Sequence, residues 1–122
     1  MKCPYCSSVM ELKDSEVIYG RSYGNSWVCA NFPQCNTYVG CHKGTDTPLG
    51  TPANSALRKA RSKAHAAFDP LWRSGEMTRS AAYAWLAEKM GIPKDLCHIA
   101  MFDEGQCENA VWICIAREVM LE

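Results

Sequence analysis

Four cysteines near the start of the chain have the types and spacing of a metal site. Cys3-Pro4-Tyr5-Cys6 is a C-x2-C knuckle, and Cys29-Ala30-Asn31-Phe32-Pro33-Gln34-Cys35 supplies a second pair after 22 intervening residues. Two close thiolate pairs at the tips of two hairpins form the soft, tetrahedral set that structural zinc takes, with little backbone strain. The expectation is one structural Zn2+ held by Cys3, Cys6, Cys29 and Cys35. Cys41 or His42 competes for the fourth position, and Cys35 is preferred because Pro33 fixes the bend of its short turn. Reduced, buried thiols are the alternative use of such cysteines. A knuckle at the N-terminus, with little apolar sequence around it, favours metal.

The chain has eight cysteines among 122 residues, enough for four disulfides in a secreted mini-protein. The opening Met1-Lys2-Cys3-Pro4 carries no apolar signal segment. The longest wholly apolar run, Ala110 to Ala116, is far short of the roughly 20 residues that cross a bilayer. The expectation is therefore a protein of the cytoplasm with no membrane partner, where clustered thiols bind metal or pack in a core. An apolar fraction of 48% with 21% charged residues excludes a disordered chain. Thirteen basic residues cancel thirteen acidic ones, which excludes indiscriminate binding of nucleic acid through bulk charge.

The elements that position the cysteines change along the chain. Val9–Lys13 and Glu16–Tyr19 read as a paired ribbon followed by a strand at Ser26–Cys29, all too short to hold a core unaided. Residues 43–53, dense in Gly, Pro and Thr, read as a linker between a zinc ribbon at 1–42 and a helical domain at 54–122. In that domain Leu57, Ala60, Ala64 and Phe68 recur at helical spacing, with Asn54 or Ser55 as cap and Pro70 as stop. Thr78 caps a helix over Arg79–Met90 that Gly91 and Pro93 end. A short helix is expected over Asp95–Met101. Asp103-Glu104-Gly105-Gln106 has the form of a capping box for a last helix through Leu121, although Val111–Ile115 also suits a buried strand. The fold class expected is α+β: a small β zinc ribbon, then an all-helical domain of three to four helices.

Cys-Pro-Tyr-Cys followed by Trp27-x-Cys29-Ala-Asn-Phe-Pro-Gln-Cys35 resembles the zinc ribbons at the C-terminus of bacterial type IA topoisomerases. The aromatic stands one residue nearer its cysteine here, and Ala30 and Phe32 replace the usual Ser and Tyr. The whole chain resembles a family of short zinc-finger-containing proteins frequent in phages and prophages. The matching residues include Pro48-Leu49-Gly50, Phe68-Asp69-Pro70-Leu71-Trp72 and Ala82-Tyr83-x-Trp85-Leu86. That likeness implies a zinc ion and a bacterial host cytoplasm, but no activity. The topoisomerase ribbons bind single-stranded DNA by stacking bases on aromatics, and Tyr19, Tyr23, Trp27, Phe32 and Tyr38 offer the same chemistry here.

Tyr23, Trp27 and Phe32 are the chosen stacking residues, the other aromatics being left to the ribbon's small core. On the first long helix Arg58, Arg61 and His65 stand at i, i+3 and i+7, with Asp69 beyond. Arg58 and Arg61 are the chosen phosphate contacts, in a stretch of six basic and two acidic residues from Leu57 to Arg79. From Asp95 onward six acidic residues face only Arg117, so the arginines have an intramolecular use as well. His65 and Asp69 admit a phosphodiesterase-like arrangement, but no second carboxylate cluster or nucleophile motif accompanies them, and the expectation is no enzyme. Cys97, Cys107 and Cys114 read as core thiols. Trp112, Ile115 and Val119 form a second apolar face on the last helix, suited to a homodimer or a host-protein partner. The function expected is a non-enzymatic zinc-binding accessory protein for single-stranded DNA or RNA. The alternative is a phage-encoded protein that binds and modulates a host or defence protein, with zinc as scaffold.

Overall fold

In the computed structural model, residues 1–121 are described. They form two compact units, Met1–Ala56 and the chain from Leu57 onward. The first contains β1 (Met10–Asp14), α1 (Glu16–Tyr19), β2 (Asn25–Cys29) and β3 (Tyr38–Gly40). The strands make one antiparallel sheet in the order β1-β2-β3. Its register pairs Met10 with Cys29, and lines Leu12, Trp27 and Val39 across the sheet. Directly opposite residues share a face, so Glu11, Val28 and Tyr38 lie on the other. The buried centre is Cys3, Met10 and Cys29, against which Trp27 and Cys35 pack.

Two parts of this unit differ from the sequence reading. Glu16–Tyr19 is a helical turn, not a strand: the Asp14 carboxylate accepts from the Glu16 N–H at 2.9 Å, and left-handed Gly20 closes the turn. Local capping outweighs the β-forming tendency of Val17, Ile18 and Tyr19. Residues 43–53 are rich in turns but bound to the sheet. Leu49 donates to the Gly40 carbonyl at 2.8 Å, and Ala53 and Tyr38 exchange backbone hydrogen bonds. Ala53 is buried, so this segment belongs to the first unit.

The second unit is helical: α2 (Ser55–Phe68, its first turn at the boundary), α3 (Pro70–Arg73), α4 (Arg79–Met90), 3-10 turns at Lys94–Leu96 and Ile99–Met101, and α5 (Glu104–Leu121). Pro70 opens α3 at its first position instead of only ending α2, because proline's fixed φ suits that place. The Thr78 hydroxyl accepts from the Ala81 N–H, and Gly91 closes α4 at φ 71°. The capping box of α5 is reciprocal: Gln106 N–H donates to Asp103 at 2.8 Å, and Asp103 N–H to the Gln106 side chain at 3.0 Å. Phe68, Leu86, Ile99 and Phe102 are fully buried, with Cys97 and Cys107 among them. Phe68 packs on Tyr83 with ring centroids 4.5 Å apart. Cys107, Ala110 and Cys114 form the buried face of α5, and Leu121 near its end is exposed. No described helix is long and apolar enough to cross a membrane.

Candidate metal centre

Two loops carry the four sulfurs. In the first, Cys3 N–H donates to the Ser8 carbonyl at 2.7 Å and Ser7 N–H to the Cys3 carbonyl at 2.9 Å, with Ser7 in the left-handed region at φ 64°. This tight reversal turns Cys6 back toward Cys3. The second loop joins β2 to β3: Phe32 N–H donates to the Cys29 carbonyl, Cys35 N–H to the Asn31 carbonyl, and Cys29 N–H to the Thr37 carbonyl. The Phe32–Pro33 peptide within it is cis.

The sulfurs of Cys3, Cys6, Cys29 and Cys35 all lie within 4.8 Å of one another. Cys3 and Cys35 are 3.7 Å apart, and Cys6 and Cys29 are 3.4 Å apart. Zn–S bonds of about 2.3 Å in a regular tetrahedron put neighbouring sulfurs about 3.8 Å apart. The set therefore fits one zinc ion, and four thiolates close its coordination shell, which makes the site structural. Cys35 is the fourth member. Cys41 bridges to Pro48 and His42 belongs to the Thr45–Thr47 turn, outside the cluster.

The surroundings supply donors to the sulfurs. Asn31 N–H points to Cys29 Sγ at 3.5 Å, and its side-chain amide reaches Cys6 Sγ at 3.7 Å and Ser8 Oγ at 2.7 Å. The Thr37 hydroxyl lies 3.3 Å from Cys35 Sγ. Without metal the four thiols are unequal. The Ser8 hydroxyl and N–H bring Cys6 down to about 6, whereas burial pushes Cys29 up to about 12. Burial also raises Cys3, but hydrogen bonds from the Tyr5 and Cys6 backbone and from Thr37 outweigh it. A bound dication favours the thiolate at all four. Asn31 and Thr37 were not singled out from sequence; a hydrogen-bonding side chain inside or just after a cysteine turn is the signal that marks them.

The residues chosen for nucleic acid are distributed unevenly. Trp27 is half-buried, its indole N–H donating to the Asp46 carbonyl at 2.8 Å and its ring packed on the sulfur core. It stands on the sheet face opposite Tyr38. Tyr23 and Phe32 instead end a row of rings, Tyr23–Tyr19–Tyr38–Phe32, with successive centroids 5.7, 6.1 and 6.3 Å apart, all edge to face. Arg61 Nε donates to the Phe102 carbonyl at 3.1 Å, tying α2 to the approach of α5. Arg58 is half-buried on the same helix. The three late cysteines are buried, and burial raises each of them, Cys114 to about 11.

No curated protein and no solved structure matches the chain. The DUF3268 family, described as a zinc-finger-containing domain, matches residues 1–118, which takes in the four-cysteine centre and nearly all of the helical unit. A cysteine-built finger and a match over almost the whole length agree: the chain belongs to this family of zinc-finger-containing domains.

Proposed function

We propose that the chain is a non-enzymatic accessory protein that uses its zinc-ordered ribbon to bind single-stranded DNA or RNA. The observation that carries this is the aromatic row on the ribbon. Tyr23 is 68% exposed and Tyr19 54% exposed, yet both are held in place by edge-to-face contacts that lead to Tyr38 and Phe32. Exposed rings with fixed orientation are stacking platforms, and each base stacked is worth about 1–3 kcal/mol whatever its identity. Four basic and four acidic residues in 1–56 leave the ribbon neutral, so its own binding is weak and depends little on salt. Tyr19 and Tyr38 enter the site beside Tyr23 and Phe32, and Trp27 leaves it.

The test is a fluorescence-anisotropy titration of zinc-loaded protein with a short single-stranded oligonucleotide across a salt series. Combining Tyr19→Ala and Tyr23→Ala weakens binding about tenfold or more with zinc content unchanged. Equal affinity of this variant and the parent protein overturns the reading.

A second reading rests on α5. Trp112 and Val119 are each 62% exposed, with Ile115 between them on the same stripe. Glu104, Glu108 and Glu118 border it. This face suits a basic amphipathic helix of a host protein, in keeping with a phage-encoded modulator, better than it suits a second acidic copy of α5. A pull-down that recovers one such protein, from a chain that ignores oligonucleotides, favours this reading.

A further inference from the structure

The helical unit gathers two arginines around aromatic rings beside a single carboxylate, Asp69. Trp72 is fixed by its indole N–H, which donates to Asp69 Oδ1 at 3.3 Å. The guanidinium of Arg73 lies 5.2 Å from the centre of that ring and the guanidinium of Arg79 lies 5.8 Å from it. Arg79 also lies 5.3 Å from the centre of the Tyr83 ring, itself buried against Phe68.

Asp69 is the one carboxylate paired with this group among the described residues, and it is already shared. His65 Nδ1 lies 3.1 Å from Asp69 Oδ1, the oxygen that also accepts from the Trp72 indole. Arg73 reaches Asp69 Oδ2 only at 3.9 Å and is 69% exposed. The other nearby acid, Glu76, is paired with Arg117 at 2.6 Å. The Arg79 side chain makes no ion pair or hydrogen bond among the described residues; its contacts are with ring faces. Ring faces hold a guanidinium in place and leave its N–H donors for an oxyanion. Both guanidinium groups lie within 6 Å of the centre of one indole.

We infer that Arg79 and Arg73, seated on Trp72 and Tyr83, form an anion site of the helical unit that takes a phosphate group. A phosphate has enough oxygens to accept from both guanidinium groups, which a single carboxylate does less well. The group comes either from a nucleic-acid backbone, in which case the site extends the proposed function and rests on that reading, or from free phosphate.

Two arms test the site on the full zinc-loaded chain. In the first, inorganic phosphate is titrated against sodium chloride of matched ionic strength while the arginine Nε–H resonances are followed by NMR. Saturable shifts at Arg73 and Arg79 with phosphate alone, lost at Arg73 in Arg79→Gln, support the site. Equal, unsaturable shifts in both salts overturn it. In the second arm, a single-stranded oligonucleotide is titrated against the parent, Arg79→Gln and Arg79→Lys proteins, each checked for an unchanged melting temperature. A nucleic-acid source predicts about tenfold weaker binding for Arg79→Gln. It also predicts a salt slope shallower by about 0.7, the loss of one contact to a single strand, with Arg79→Lys restoring the slope more than the affinity. Unchanged oligonucleotide binding beside a specific phosphate response supports a free-phosphate site. Failure of the parent to bind oligonucleotide, with the phosphate response intact, overturns the proposed function and leaves this site standing. Oligonucleotide binding by the parent that Arg79→Gln does not alter, with no phosphate response, overturns the site alone.

Discussion

Cys35 and Cys41 are chemically alike and six positions apart, yet only Cys35 shares a centre with Cys3, Cys6 and Cys29. The difference lies in the Cys29–Thr37 loop, whose backbone bonds return Cys35 toward Cys29, while Cys41 is tied to Pro48. Cys35→Ser therefore lowers bound zinc well below one equivalent at neutral pH with a competing chelator present, and Cys41→Ser retains one; elemental analysis after dialysis reads the difference. The pairing of knuckles was legible in spacing alone. The burial of Trp27 was not, because nothing local distinguishes it from Tyr19: Trp27 packs on the sulfur core once β1 and β2 are in register, and Tyr19 is exposed. The late thiols carry a pH signature. Cys114 is raised by burial to about 11 from an ordinary value of 9.0, and Cys97 and Cys107 shift the same way. The unfolded chain therefore loses these protons first. The stability of the helical unit is whole below pH 9 and falls as pH rises through 11, by roughly 3 kcal/mol for Cys114 alone. Thermal melts of the helical signal from pH 8 to 11 check this.

At the scale of elements, ends written in side-chain chemistry were readable and ends set by partners were not. Thr78, Gly91 and the Asp103–Gln106 box each act within a few residues, and α4 and the start of α5 lie where those residues put them. The strand β3 has three residues and exists through its ladder with β2, so no local pattern announces it. Residues 16–19 show the converse, a β-like composition overruled by the Asp14 bond and Gly20. Because the Thr78 hydroxyl caps α4, Thr78→Ala lowers stability by about 1 kcal/mol in a denaturant titration. Thr78→Ser keeps most of it.

At the scale of the whole molecule, two units depend on different forces. The first has a buried centre that is largely sulfur, and zinc adds on the order of 10 kcal/mol to a fold of that kind. The second is a helical core around Phe68, Leu86, Ile99 and Phe102, with no metal cluster among its described residues. Chelation should therefore abolish the dispersed amide resonances of residues 1–56 while those of α4 and α5 persist; concerted loss of both sets contradicts this division. Thiols and turn residues crowd the sequence of the first unit, and helical periodicity fills that of the second. The first unit is organised by a closed, all-sulfur zinc centre. X-ray absorption at the zinc edge of the loaded protein tests it most directly. The account predicts four sulfur neighbours at about 2.3 Å; a nitrogen or oxygen neighbour, or three sulfurs with an open position, contradicts it.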